Sequence, residues 1–296
     1  VVSPVFTIDF QAMGGTCEIR LVAASDAEAR TLAAPALADV SRIEAKFSRY
    51  RADSMVSRIN AAAGKEMVDC DDETLALLDY ADAMYRSSAG RFDITSGVLR
   101  KAWDFRLGAV PSPQALERHL PLVGWGRVQR EGRRVRLPLA GMELDFGGFG
   151  KEYAADRAAE LLAAHGVRHG YVSLGGDMRF LGPRPDGRSW NIGIQHPRQP
   201  DTTVASIALV RGALTTSGDY ERFFEVDGRR YCHILDPRSG MPVTYWRSIS
   251  VMAPLAITAG SCSTTAMLLE RDGLDFLAQS GFPYLAIDQD GRIFRR

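Results

Sequence analysis

The sequence has no C-x-x-C pair, no Walker A lysine loop and no glycine fingerprint set between a strand and a helix as in the common dinucleotide folds. Its four cysteines, Cys17, Cys70, Cys232 and Cys262, stand far apart. That spacing argues against structural zinc and leaves their disulfide state open. No run of about 18 apolar residues exists, so no transmembrane helix is expected. Charge of either sign is not in excess: Lys plus Arg and Asp plus Glu are 36 each, and this balance argues against a bulk nucleic-acid binder. A local basic pocket stays compatible with it. Four of the five histidines, His119, His165, His169 and His196, sit at expected helix ends or loops without metal-ligand spacing. There is no internal repeat, low-complexity tract or linker, so residues 1–296 are expected to form one domain of two intimately packed halves. The chain begins at Val1 rather than Met, so the true N-terminus is expected to have been removed, and a signal peptide or lipid anchor could have gone with it.

What is present reads as an α+β chain, rich in helices early and in strands later. Strands are expected at Phe6–Phe10 and Cys17–Val22 around a Met13-Gly14-Gly15 turn, then helices at Asp26–Phe47, Ser54–Ala63 and Asp72–Ser87. Gly97–Phe105 reads as helical, Pro113 opens a further helix, and Val128, Val135–Leu137 and Met142–Leu144 read as strands. Later strands are expected at Gly170–Leu174, Met178–Leu181, Trp190–Gln195, Val204–Val210, Arg222–Val226, Tyr231–Leu235 and Ser248–Ala253. Helices at Thr258–Glu270 and Gly273–Ser280 and a last hairpin close the chain.

The stretch Leu144 to Asp156, L-D-F-G-G-F-G-K-E-Y-A-A-D, is the centre of the functional reading. A glycine turn runs into a helix whose first backbone N–H groups can face an anion. Lys151 lies in the first turn, where the helix dipole disfavours a cation unless an anion is near. Other small-residue turns, at Gly14-Gly15, Gly175-Gly176-Asp177 and Thr215 to Tyr220, could join it around a pyrophosphate. Taken singly, each of them reads first as a plain strand end, glycine being a general turn former. His233, at a strand end before Asp236-Pro237, is placed as a general base or as a structural histidine. Asp93, Asp145 and Asp177 could hold a flavin, a ribose or a hard cation, or serve as turn residues. The hydroxyls of Thr258, Ser261, Ser263, Thr264 and Thr265 exceed what a helix cap requires.

Taken in order, Met13-Gly14, F-S-R-Y at Phe47 to Tyr50, G-R-F-D-I-T-S-G at Gly90 to Gly97, the central stretch, S-L-G-G-D at Ser173 to Asp177, T-S-G-D-Y at Thr216 to Tyr220 and H-I-L-D-P-R-S-G at His233 to Gly240 resemble the FAD:protein FMN transferases, the ApbE-like flavin transferase family. The resemblance implies an α+β, T-fold-like architecture with mixed or antiparallel sheets around an FAD cleft. It places Met13, Tyr50, Arg91, Phe92, Asp93, Asp145, Lys151 and Ile234 at FAD, and Gly148 and Thr264 at Mg²⁺. It makes His233 the residue that activates an acceptor Ser or Thr on a target redox protein, with AMP leaving. It also implies an exported, periplasmic or membrane-associated setting and no nucleic-acid partner.

The chain departs from the family pattern at two places. Gly260 stands where the family commonly has a metal-binding aspartate, and Glu152 stands where a glycine commonly follows the lysine. A flavin-binding protein with little catalysis, and an FAD pyrophosphatase giving FMN and AMP, are therefore the competing expectations.

Overall fold

The computed structural model describes residues 4–296. In chain order the elements are β1 (Val5–Ala12), β2 (Gly15–Val22), α1 (Asp26–Phe47), α2 (Met55–Ala61), β3 (Val68–Asp69), α3 (Asp72–Ser87), α4 (Pro113–His119), β4 (Gln129–Glu131), β5 (Arg134–Arg136), α5 (Gly150–Ala164), β6 (Gly170–Leu174) and β7 (Asp177–Gly182). They continue with β8 (Trp190–His196), β9 (Gln199–Leu209), β10 (Gly212–Gly218), β11 (Phe223–Val226), β12 (Arg229–Cys232), β13 (Trp246–Ala253), α6 (Ala256–Leu268), α7 (Gly273–Ser280), β14 (Tyr284–Asp288) and β15 (Ile293–Arg295).

An eight-stranded sheet in the order β1-β2-β6-β7-β10-β13-β14-β15 is the frame. Every neighbouring pair in it is antiparallel, so of the mixed or antiparallel sheets expected this one is the antiparallel kind. Side chains alternate between its faces with the strand period of two. Val172, Ala213, Ile249 and Val251 point into the core shared with the helices. Their neighbours Tyr171, Leu214, Leu285 and Ile287 enter a second apolar cluster under the β8–β9 hairpin. Helices on one face and a hairpin on the other give the α+β class expected from the sequence.

Helix α5 packs on β6, β7, α1 and α6. Small residues permit that closeness: α1 buries Ala29, Ala33 and Ala36, and α5 buries Ala154, Ala155, Ala158 and Ala159. The clamp between α5 and α6 is polar. Helix α6 has no side-chain cap of its own at Leu255. Asp156 supplies one from α5, accepting Ala256 N–H at 2.8 Å and Ile257 N–H at 2.9 Å. Arg179 Nε stands 3.0 Å from the same carboxylate. This capping fixes which face of α5 looks at α6.

Three expectations change. Met142–Leu144 is not a strand. The Asn60 side-chain amide donates to Leu144 C=O at 3.0 Å and accepts Leu144 N–H at 2.6 Å, taking both groups a strand partner would use. The expected helix at Gly97–Phe105 is a 3₁₀ segment at Ile94–Lys101, started earlier because Asp93 caps it through Thr95 N–H at 2.8 Å. Thr215 to Gly218 belongs to β10, between β7 and β13, rather than to a turn. The Ser217 hydroxyl meets Ser263 and Thr264 of α6, the Thr216 hydroxyl meets Ser250 of β13, and sheet pairing outweighs the local turn propensity.

Candidate active site

A cleft of about 970 Å³ opens between the start of α5, the 3₁₀ segment, the C-terminal ends of α1 and β10, and α6. That is at the upper end for a small-molecule site and suits an extended ligand. Of the residues expected at a ligand, Met13, Tyr50, Phe92, Asp93, Asp145, Gly148, Lys151, His233, Ile234 and Thr264 all line it. Arg91 does not. Its guanidinium is paired with Asp236 at 3.0 Å, on the loop that follows His233.

The floor begins at Asp145. Its carboxylate accepts Gly147 N–H at 2.9 Å and pairs with Arg49. Gly97 is required beside it, because a Cβ at that position would fall onto the Asp145 Cβ. Asp93, by contrast, is committed to the fold: it accepts Thr95 N–H, the Thr95 hydroxyl at 2.6 Å and Trp125 N–H at 3.0 Å.

Helix α5 begins behind the glycine turn with no side-chain cap; Gly150 N–H is taken by Phe146 C=O at 2.7 Å, and the N–H of Lys151 has no side-chain acceptor. Lys151 Nζ lies 2.7 Å from Asp177 Oδ2. Burial alone would lower its pKa, but the charges of Asp177 and Glu152 outweigh it and hold the amine well above its ordinary value. The lysine is therefore a fixed cation. Glu152 and Asp177 are both buried, at 7% and 4% exposure. Burial, and then the charge of Asp177, pushes the Glu152 carboxyl up; burial does the same to Asp177, against the pull of Lys151 and a hydrogen bond from Glu152.

His233 sits just past β12 with its side chain exposed at the cleft. Its Nδ1 lies 3.3 Å from Arg222 C=O. That contact places the proton on Nδ1 and leaves Nε2 with the lone pair. Desolvation by the protein packed around the ring, then the charge of Arg222, lowers its pKa to about 4. The imidazole is neutral at pH 7 and can accept a proton.

The far wall carries hydroxyls. Ser263 donates to Gly260 C=O at 3.0 Å, and Ser217 Oγ lies 2.7 Å from Ser263 Oγ and 3.0 Å from Thr264 Oγ1. With the Ser263 proton spent on Gly260, Ser217 donates to Ser263 and Thr264 donates to Ser217. The lone pairs of Thr264 Oγ1 are then left for a ligand. Among the described residues no three His, Cys, Asp or Glu side chains converge on a metal point. The oxygens present, from two carboxylates, Thr264 and the Gly148 backbone, nevertheless fit a hard cation that completes its shell with substrate phosphates. Among the side-chain oxygens of the cleft-lining residues, the buried Glu152 Oε2 has no hydrogen-bond partner.

Arg49, Glu221 and Arg222 also line the cleft and were not singled out as ligand contacts by sequence. Arg49 lay inside the F-S-R-Y motif; Glu221 and Arg222 follow a small-residue segment with no pattern to mark them. The four cysteines are free and buried.

An uncapped helix start, a fixed lysine, a neutral histidine and an oxygen-rich wall around one long cleft define a protein that handles a phosphorylated ligand. A profile of the ApbE family matches residues 13–286, and the chain belongs to that family. The FAD:protein FMN transferase of Treponema pallidum is 37% identical over 245 residues, covering 76% of this chain and 68% of the relative. The crystal structure of the ApbE protein from Thermotoga maritima superposes with a TM-score of 0.90 at 33% identity, covering 99% and 97% of the two chains. The flavin transferase ApbE from Vibrio cholerae superposes at 0.86 with 26% identity and the same coverage.

Proposed function

We propose that the chain is an FAD:protein FMN transferase that moves FMN from FAD to a Ser or Thr hydroxyl of a target protein and releases AMP. The observation that carries the reading is the pairing, in one cleft of an ApbE-family fold, of a permanently charged Lys151 with a neutral His233 whose Nδ1 proton is already placed. Tyr50, Phe92, Met13 and Ile234 offer apolar and aromatic surface for a flavin, and Asp145 offers a polar contact beside it. The acceptor hydroxyl gives its proton to His233 Nε2 as its oxygen bonds to the FMN phosphorus. The bond from that phosphorus to the AMP phosphate breaks, and AMP leaves with the electron pair. Lys151 and the first N–H groups of α5 stabilise charge on the phosphoryl oxygens. Mg²⁺, when bound near Gly148 and Thr264, supplies further charge neutralisation at the pyrophosphate.

Hydrolysis and simple flavin storage use the same cleft, and the activity of the relatives favours transfer over both. In this reading the target is a redox protein and the setting is exported or membrane-associated. No helix among the described residues is long and apolar enough to cross a membrane. The test is incubation with FAD, Mg²⁺ and a target domain carrying an acceptor threonine. A mass gain of one FMN on the target is expected. Free FMN with AMP would mean hydrolysis, and neither product would mean a flavin binder.

A further inference from the structure

Glu152 is a buried acid of this cleft that no cationic side chain among the described residues pairs with, Lys151 being bonded to Asp177. It is buried, it lines the cleft, and its Oε2 lacks a partner. Burying a carboxylate in that state is costly unless a cation or donor meets it. Its neighbours do not supply enough charge. Lys151 already bonds Asp177 at 2.7 Å, so the two acids have one ammonium between them. Asp156, one turn further along α5, is engaged with the α6 N-terminus and Arg179. Glu221, nearby on the cleft rim, adds more negative charge.

Helical geometry then says where Glu152 points. Asp156 caps α6 at Ala256 and Ile257, so the same face of α5 one turn earlier meets α6 one turn later, at Gly260. A Cβ built on Gly260 would lie 2.6 Å from Glu152 Oε1 and 2.9 Å from its Cδ. The Glu152 carboxylate thus fills the volume that a side chain at residue 260 would enter. Thr264 is four residues on, on the same face of α6, with its lone pairs free.

We propose that Glu152 is the anionic ligand of a divalent-cation site completed by Thr264 Oγ1 and substrate phosphate oxygens. The carboxylate reaches this point from α5, and Gly260 is glycine to make room for it. The assignment rests on the transferase reading for the phosphate oxygens. It also explains how the chain keeps a charged ligand despite the glycine at 260.

The probe is Mn²⁺, titrated by electron paramagnetic resonance into the full chain saturated with FAD, with flavin quenching in metal-free buffer measured separately. Glu152→Gln keeps the volume and removes the charge. It is expected to weaken Mn²⁺ binding by at least about tenfold while metal-free FAD quenching stays within about threefold. Gly260→Asp alone is expected to lower the melting temperature, because its side chain meets Glu152. The exchange Glu152→Gly with Gly260→Asp is expected to relieve that crowding and restore Mn²⁺ binding. Mn²⁺ affinity unchanged in Glu152→Gln overturns the assignment. So does a folded double variant that binds FAD but no Mn²⁺, and this arm remains decisive if Glu152→Gln fails to fold. Absence of flavin quenching by the parent chain would instead count against the transferase reading.

Discussion

The protonation state of His233 gives the sharpest prediction. An ordinary histidine, with a pKa near 6.5, is only about 9% neutral at pH 5.5. With its pKa lowered to about 4, His233 is about 97% neutral there. A base works only when deprotonated, so activity is lost as pH falls through the base's pKa. The value of kcat/KM for FAD, followed by AMP release with a target domain present, should stay flat from pH 8 to about pH 5. The acid limb should lie near pH 4.

Three causes hold the pKa down, desolvation first, then the Arg222 charge and, smaller, the Lys151 charge; Arg222 is the charge that can be removed without touching the lysine assigned to the phosphates. Arg222→Gln should raise the acid limb by about 1 unit, the size of a partly screened like-charge contact. The phosphates of bound FAD act in the opposite sense to Arg222, so the limb for kcat should lie above that for kcat/KM. His233→Ala should lose about 10²- to 10⁴-fold in rate with FAD binding kept. An acid limb that does not move in Arg222→Gln, or a His233→Ala variant with parental rate and profile, would refute the assignment of His233 as the base.

The clamp, the lysine and a surface ion cluster can be tested in the same way. Asp156→Asn should cost about 2–4 kcal/mol in urea unfolding, because an amide cannot accept from both Ala256 and Ile257 and leaves Arg179 without its counter-charge. Lys151→Met should weaken FAD quenching by about tenfold or more and also lower stability, since Asp177 loses its 2.7 Å partner; parental FAD affinity in the folded variant would exclude Lys151 as a phosphate contact. Glu73 accepts from Arg42 at 2.8 Å, from Lys46 at 2.6 Å and from the Tyr153 hydroxyl at 2.7 Å, and Arg42 foremost lowers its pKa to about 2. The depressed pKa means stability present above pH 4.5 and lost as pH falls from there towards 2. Glu73→Gln should flatten that limb of acid unfolding by about 1–2 kcal/mol after allowance for solvent screening.

Much of this site is legible in sequence where one local signal settles the structure. Asp26–Phe47 follows from alanine-rich periodicity and the Ser25 cap, and α5 from the glycine turn before it. His233 and Lys151 can be picked out because a histidine at a strand end and a lysine in a first helical turn are locally odd. The misses share a different origin. Met142–Leu144 carries strand-like side chains, yet its ladder groups are taken by Asn60, 84 residues earlier for Leu144. Thr215 to Gly218 looks like a turn, and only pairing with β7 and β13 makes it a strand.

Glu152 is the furthest case of the same kind. From sequence, Glu152 and Gly260 are two unrelated departures more than a hundred residues apart, each weakening a motif. In the fold they face each other, because Asp156 holds α6 in register one turn away. The glycine that removes a carboxylate from α6 is the same glycine that admits one from α5. Neither substitution would be tolerated singly on these contacts: Glu152 with a side chain at 260 would clash, and Gly260 without Glu152 would leave a void beside Lys151 and Asp177. The two positions should therefore be read as one structural unit, and their separate effects on stability and metal binding should not add.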